Sequence, residues 1–574
     1  MSAALTDSRR LTGPSLLLDT PGAVLDVRLS PAEAPAVIAA WERHLRRVLD
    51  AVGWEAREIV HRWYTGGASL AFSAPPDALY AATEVNELAW SLAMAADASD
   101  DARAFEREAE RLRGLIADEQ DPAFRRLADA ADDHDVTFLW DDDEVSVGLG
   151  TGALVWPVER IPAPDAVAWE AVHDVPVALV TGTNGKSTTA RMLASVLRAA
   201  GRTPGLTTTD RITVGGEILD EGDYSGPGGA RTALRDPRVE VGVLEVARGG
   251  ILRRGLGVSR ATAAAVTNVA SDHLGEYGIE TVEQLAEAKF VVAKALGAGS
   301  VLVTNAEDPH CAHHGHRQQA LLEPRGAHVC WTALDPDHER LRLHRARGGL
   351  ACAVVGGHLA YADGEDWVSV VAAEALPCTQ RGAARYNVRN ALTVLGLARA
   401  LAVPDDAIAR GLTAFRSDPE TNPGRGNVFD VDGATVWIDF AHNAHGLAAL
   451  AEAVRALPAR RRLLLFGQAG DRTDADLAAL AQAAARFGAD RYLVAEMPGY
   501  LRGRSPGEVP GLIRRGLEGA GVAAEAIREV SDPVAGTDQA LDWAETDDVL
   551  VLLTLTGRDD AIARVREAAS EAAR

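Results

Sequence analysis

The stretch Val177-Ala-Leu-Val-Thr-Gly-Thr-Asn-Gly-Lys-Ser-Thr-Thr189 limits the folds open to this chain more than any other. Its apolar run, Val177 to Thr181, reads as a buried β-strand that ends in a Gly-rich turn. A helix follows, with Met192, Leu193, Val196 and Leu197 on one face and Gly201 placed to end it. Strand, turn and helix in this order are the setting a phosphate loop requires. Backbone N–H groups across Gly182, Thr183, Asn184 and Gly185 can wrap a polyphosphate, and the helix start, with Thr188 in its first turn, adds its positive dipole end. Lys186 would reach the β- and γ-phosphates of ATP, and the Ser187 hydroxyl would ligate Mg²⁺. One position departs from the general loop: its first Gly would fall where Val180 stands. A Gly-rich turn that binds nothing is the alternative.

At 574 residues the chain exceeds one core, so two to four domains are expected. A formal net charge of −24 argues against a nucleic-acid or anionic-membrane partner. The four cysteines, Cys311, Cys330, Cys352 and Cys378, lack paired spacing, which fits a reducing cytoplasm and no zinc or disulfide framework. Met1 to Ser15 has no signal-peptide core, and no apolar run approaches the ~20 residues of a membrane span.

Three regions follow from the chain order. Residues 1–165 read as a small α+β domain: a strand pair over Leu16–Leu29 around Pro21-Gly22, an amphipathic helix over Pro31–Val52, strands around Tyr64–Leu70, two or three helices, and strands around Asp141–Glu144. That carboxylate cluster reads as a solvated hairpin turn in preference to a metal site, and His134 as structural. After a linker, Pro157–Val175, strands and helices alternate across a second region, 166–414, predicting a largely parallel sheet covered by helices. The third, 415–574, alternates again, with strands at Val436–Asp439, Arg462–Phe466, Arg491–Ala495 and Val549–Leu553, and reads as a Rossmann-like α/β domain. The oligomeric state is not readable.

Polar groups recur at strand ends. Glu245 closes the apolar run Val241–Leu244, where Mg²⁺ beside a P-loop needs an oxygen ligand. Further on stand Thr267-Asn-Val-Ala-Ser-Asp-His-Leu274, Lys289 on a helix beginning near Val282, Asn305-Ala-Glu-Asp-Pro309, Tyr386-Asn-Val-Arg-Asn390, Pro423-Gly-Arg425, Asp439-Phe-Ala-His-Asn443 and Gly467-Gln-Ala-Gly-Asp-Arg472. His310, His313, His314 and His316 look like a metal tract, but their spacing lacks a second ligand pair and a solvated loop is expected.

With the P-loop, these motifs resemble, in order, those of the Mur ligases, ATP-dependent amide ligases. Thr207-Thr-Thr-Asp210, Asp223-Tyr-Ser-Gly-Pro227 and Leu244-Glu-Val-Ala-Arg-Gly-Gly-Ile251 narrow the resemblance to the C-terminal half of the cyanophycin synthetases. The region before the linker is similar to their N-terminal domain. Their intervening ATP-grasp domain is missing, because the linker here runs directly onward. The resemblance implies a central ATP-binding domain and a Rossmann-like C-terminal domain, with Mg²⁺ on Ser187 and Glu245 and a second Mg²⁺ on His273. It implies that Asn268 and Asp272 orient the site, that Lys289 is carbamylated, that Asn387 lies near the adenine and Asp439 near the ribose, and that Arg425 reaches the phosphates. Lys186, Lys289, His273 and Arg425 are then the catalytic candidates, and Asp210, His442, Asp471 and Arg472 the substrate-binding ones. The implied reaction joins an amino acid to a carboxylate of an acidic, peptide-like acceptor through an acyl phosphate, in the cytoplasm. A P-loop kinase or NTPase, and an inactive regulatory relative, are the alternatives.

Overall fold

The computed structural model describes residues 3–95 and 102–572. Its centre is an eleven-stranded sheet. From one edge the strands are Glu217–Glu221, Arg211–Val214, Pro204–Thr207, Val241–Glu245, Val177–Thr181, Ala261–Val266, Leu296–Asn305, His328–Ala333, Leu350–Val355, His358–Asp363 and Asp366–Ala372. Those from Pro204–Thr207 to Leu350–Val355 run parallel, with antiparallel hairpins at both edges. Parallel strands must be covered on both faces, so their central stretches are apolar, and every residue of Val177–Thr181 is buried. Helices Lys186–Ala199, Arg385–Ala400 and Asp405–Ala414 pack on one face. Pro227–Arg235, Arg248–Arg254, Val282–Lys289 and Pro309–Leu322 cover the other. The P-loop strand lies between Val241–Glu245 and Ala261–Val266, so all three deliver their carboxyl ends to one crevice, where open α/β sheets bind ligands.

The third region has a six-stranded sheet, ordered Asn427–Val431, Ala434–Asp439, Val549–Leu553, Arg462–Gly467, Arg491–Ala495, Ile527–Val530, parallel except at its first pair. The four inner strands lie where the sequence predicts them. The two outer ones are not in that prediction. Edge strands carry polar residues, as Arg528 and Glu529 do here, and lose the apolar run that marks a central strand.

The first region is α+β. A four-stranded antiparallel sheet, ordered Ala4–Leu11, Gly22–Arg28, Gly67–Ser73, Ile59–Tyr64, packs on helices Ala34–Val52 and Leu79–Met94. The strand pair expected around Pro21-Gly22 is corrected: Gly22–Arg28 pairs with Ala4–Leu11. Leu16–Pro21 is a loop because the Ser15 hydroxyl accepts from the Leu17 and Leu18 N–H groups, and Leu18 anchors it in the core. The Asp141–Glu144 segment is the expected solvated hairpin turn, with Asp142, Asp143 and Glu144 exposed. Asp141 and Glu144 face Arg235, and Asp142 faces Arg10 and Tyr80. The linker is packed in short 3₁₀ turns, and its Trp169 stacks on His134 with centroids 4.2 Å apart.

The histidine tract is also corrected. Asp308 caps a helix, accepting from the Cys311 N–H at 2.8 Å, and Pro309 occupies its first position. The four histidines therefore ride on Pro309–Leu322 and not on a loop. Among the described residues no helix is long and apolar enough to cross a membrane.

Candidate active site

The P-loop is held rigidly by its neighbours. Gly182 has φ 148° and Gly185 φ 86°, and each lies too close to another residue for a side chain. A Cβ would stand 1.9 Å from Thr267 Oγ1 at the first and 2.4 Å from Asn390 Oδ1 at the second. The strand end Thr267-Asn268 clamps the loop. Thr183 N donates to the Asn268 carbonyl at 2.9 Å and Asn184 N to Asn268 Oδ1 at 3.0 Å. Thr267 Oγ1 and Asn268 Nδ2 both donate to the Asn184 carbonyl, at 2.7 and 2.9 Å. Lys186 Nζ reaches back to the Thr183 carbonyl at 3.1 Å, and Thr188 lies buried one turn into the helix.

Glu245 stands where its strand end predicts. It is buried; Oε2 accepts from Thr209 N at 3.3 Å and Oε1 has no partner. Ser187 Oγ is 3.4 Å from Thr209 Oγ1. An orphaned carboxylate oxygen, a hydroxyl and a Gly-rich loop at a helix start form an oxygen-rich donor set of the kind Mg²⁺ and a nucleotide triphosphate select, so these residues fit both groups. Lys289, fully buried at the end of its helix, donates to the Gly182 carbonyl at 2.8 Å. Burial, with the charge of Lys186 beside it, pushes its amine down to about 7.

The third region brings the opposite side. His442 Nε2 is 3.4 Å from Asp272 Oδ2, Arg472 Nη2 is 3.2 Å from Asp272 Oδ1, and the same guanidinium donates to His273 Nε2 at 2.9 Å. Burial would raise the Asp272 carboxyl, but the hydrogen bond and charge of His442, with His273 and Arg472, hold it below the usual carboxylate range. Burial lowers His273 against the pull of Asp272, which leaves a neutral ring able to accept from Arg472. Asn184 and Asn443 exchange amide hydrogen bonds at 3.1 and 3.2 Å across the gap. Asp439, at its strand end, is pushed up to about 6 by burial although the Ala441 N–H donates to it. Asp471 lies at the rim, 3.8 Å from Arg502.

Two candidates sit differently from their assigned roles. Asp210 holds three guanidiniums: Arg191 at 2.5 Å, Arg425 at 2.9 Å and Arg558 at 2.7 Å. Burial alone would raise it, but Arg425 and Arg191 hold it below the usual range, so it is an ion-pair hub with both oxygens engaged. Asn387 donates to the Cys378 carbonyl at 2.8 Å and accepts from Asn390 at 3.1 Å, which makes Asn390 the one in contact with the P-loop. The sequence reading passed over Arg191, Arg558 and Asn443. Arg191 gave a signal, a charge one turn beyond Ser187 on a helix otherwise apolar there; Arg558 gave none. The P-loop residues Thr183 to Thr188, with Glu245, Asp272, His273, Lys289, Arg425 and His442, line one cavity of about 1220 Å³ between the second and third regions.

A P-loop at the switch point of a parallel sheet, closed over by a Rossmann-like domain, defines a two-domain nucleotide-binding enzyme fold. The Mur ligase middle domain matches residues 180–398, and the Mur ligase glutamate ligase domain matches 424–554. The chain belongs to the Mur ligase family. It is 36% identical over 419 residues to a cyanophycin synthetase of Trichormus variabilis, covering 71% of this chain and 45% of that protein. It is 27% identical over 395 residues to the UDP-N-acetylmuramoyl-L-alanyl-D-glutamate–2,6-diaminopimelate ligase of Geobacillus kaustophilus, covering 64% and 71%. The structure of Escherichia coli FolC in complex with ADP superposes with a TM-score of 0.50 at 22% identity, over 69% of this chain and 89% of that one. The chain spans less than half the length of the cyanophycin synthetases it matches.

Proposed function

We propose that this chain is an ATP-dependent amide ligase that joins an amino acid to a carboxylate of an acidic, peptide-like acceptor. The observation that carries the reading is the convergence of Lys186, Glu245, Asp272, His273, Lys289 and Arg425 on one cavity between two domains, with Arg472 bonded to Asp272 and His273. An acceptor carboxylate oxygen bonds to the γ-phosphorus of ATP as the bond to ADP breaks. The amine then attacks the acyl carbon, phosphate leaves, and the amine proton passes to a base or water. Ser187 and Glu245 would hold Mg²⁺ and His273 a second Mg²⁺, which supply Lewis-acid polarisation of the phosphates when bound. Lys186, at the helix start, places its charge where the β- and γ-phosphates lie. Arg425, fixed by Asp210 and by Thr209 Oγ1 at 3.2 Å, brings a second cation from the third region. Lys289, buried with a depressed amine, is in the neutral form that adds CO₂, and its carbamate would turn a cation into a metal-seeking carboxylate. Arg472 and Asp471 are the groups offered to the incoming amino acid, and a cytoplasmic location goes with the use of ATP.

The test is phosphate release from ATP with each amino acid and an acidic peptide, with mass spectrometry for the amide. Release that needs both amine and acceptor, together with an adduct, supports the ligase. Equal ATP consumption without amine, or an accumulating phosphorylated end product, replaces it with the kinase reading.

A further inference from the structure

The histidine tract gains from the fold what its spacing lacks. His310, His313 and His314 stand at i, i+3 and i+4 of Pro309–Leu322, which brings three imidazoles to one helix face. Glu283, in the first turn of Val282–Lys289, meets them from the neighbouring helix. Its Oε1 is 2.8 Å from His314 Nε2 and 3.6 Å from His313 Nε2, and its Oε2 is 3.2 Å from His310 Nδ1. The edge of a tetrahedron with metal–ligand bonds of ~2.0–2.2 Å is roughly 3.3–3.6 Å, and these separations scatter about it. The donor atoms of Glu283, His313 and His314 all lie within 4.8 Å of one another.

The ring that matters most is pre-set. His314 is buried, stacked on Phe290 at 5.4 Å, with His313 edge-on at 5.2 Å. One carboxylate offers two oxygens, and here three imidazole nitrogens converge on them. A cation between Glu283, His313 and His314 satisfies that arrangement better than hydrogen bonds alone.

We propose that Glu283, His313 and His314 form a second, non-catalytic site for a divalent transition ion of the zinc class, with His310 holding the far oxygen of Glu283. Two imidazoles and one carboxylate select that class over Mg²⁺, which prefers oxygen. The ion staples two helices that border the active cavity. The first ends in Lys289; the second starts at Asp308, whose Oδ2 accepts from Val269 N at 2.9 Å in the loop that holds the P-loop.

The cluster Asp272, His273 and His442 also offers metal donors, so the experiment is run on full-length His273→Ala protein, which removes one of them. The metal-free variant is titrated with Zn²⁺ alone in excess Mg²⁺ by calorimetry, and with Co²⁺ by visible absorption. One equivalent of Zn²⁺, a tetrahedral Co²⁺ spectrum and a Zn²⁺-dependent rise in Tm are expected. Adding His313→Ala or Glu283→Gln, both at exposed positions, is expected to weaken binding at least about tenfold and abolish the rise in Tm. Circular dichroism checks that each remains folded. Absence of Zn²⁺ binding in the His273→Ala protein, or unchanged affinity in both double variants, overturns the proposal.

Discussion

The two sides of the active cavity are built on different principles. On the P-loop side most polar groups are fixed within the second region itself. Thr267 and Asn268 clamp Asn184, Asn390 fills the space a side chain at Gly185 would need, and Lys289 holds the Gly182 carbonyl. On the other side, Arg425, His442, Arg472 and Arg558 find partners mostly across the gap, on Asp210, Asp272 and His273. The first side is pre-organised by its own fold. The second is assembled by closure of one domain on another, and Asp210 is its main grip. Chemistry that depends on the first side should therefore fail outright when a group is lost. Chemistry that depends on closure should weaken in degrees.

The largest effect is expected at Lys186. Lys186→Ala should lower ATP-dependent phosphate release by about 10²–10³-fold while the protein stays folded, since Nζ touches only the Thr183 carbonyl. Near-normal release from a folded variant would break the P-loop assignment. Next comes Asp210→Asn, which leaves Arg191, Arg425 and Arg558 facing one another around a neutral amide. A loss of about 10–100-fold in kcat/KM for ATP is expected, with kcat at saturating ATP falling less. A change in amino-acid KM alone would return Asp210 to its substrate-binding role.

Lys289 tests the pre-organised side by stability, without substrates. Its amine is at about 7 in the fold, against 10.5 when exposed. Between those values the unfolded chain holds the proton and the folded chain does not, so unfolding free energy rises with pH across that window and the burden on the fold is full below about 7. In CO₂-free buffer, Lys289→Met should remove up to about 1.4 kcal/mol per pH unit of that slope. An unchanged slope in denaturant titrations at pH 7, 8 and 9 would show that Lys289 is not the titrating group.

This contrast also explains what could be read from the sequence. The P-loop, Glu245 and the inner strands of both sheets are local patterns, in which an apolar run ends in a polar residue beside a turn, and they stand where the sequence places them. Asp210 and Asn387 were read by resemblance alone. Their partners lie far off in the chain, Arg558 being 348 residues from Asp210, so no local pattern shows that their oxygens are engaged. The histidine tract is a helix and not the expected loop because Asp308 caps it and Pro309 takes its first position, a signal the ligand spacing does not carry. Its missing ligand, Glu283, belongs to another helix.

The smallest effect is expected at Arg558. It lies at the start of the last helix, partly exposed, and reaches Asp210 at 2.7 Å while also pairing with Asp559. Asp210 keeps Arg191 and Arg425 when Arg558 is lost, so no buried charge is stranded. An ion pair of this exposure is worth up to about 1 kcal/mol, which corresponds to a loss of about 2–5-fold in kcat/KM for Arg558→Ala. Because the pair joins domains, its loss should also show as a wider population of open forms by small-angle scattering, narrowed again by saturating nucleotide. Within one site, Lys186→Ala should leave the scattering curve of the free protein unchanged and abolish turnover, and Arg558→Ala should do the reverse in miniature. If Arg558→Ala were as inactive as Lys186→Ala with an unchanged scattering curve, Arg558 would act on substrate directly, and the division between a built side and a closing side would fall.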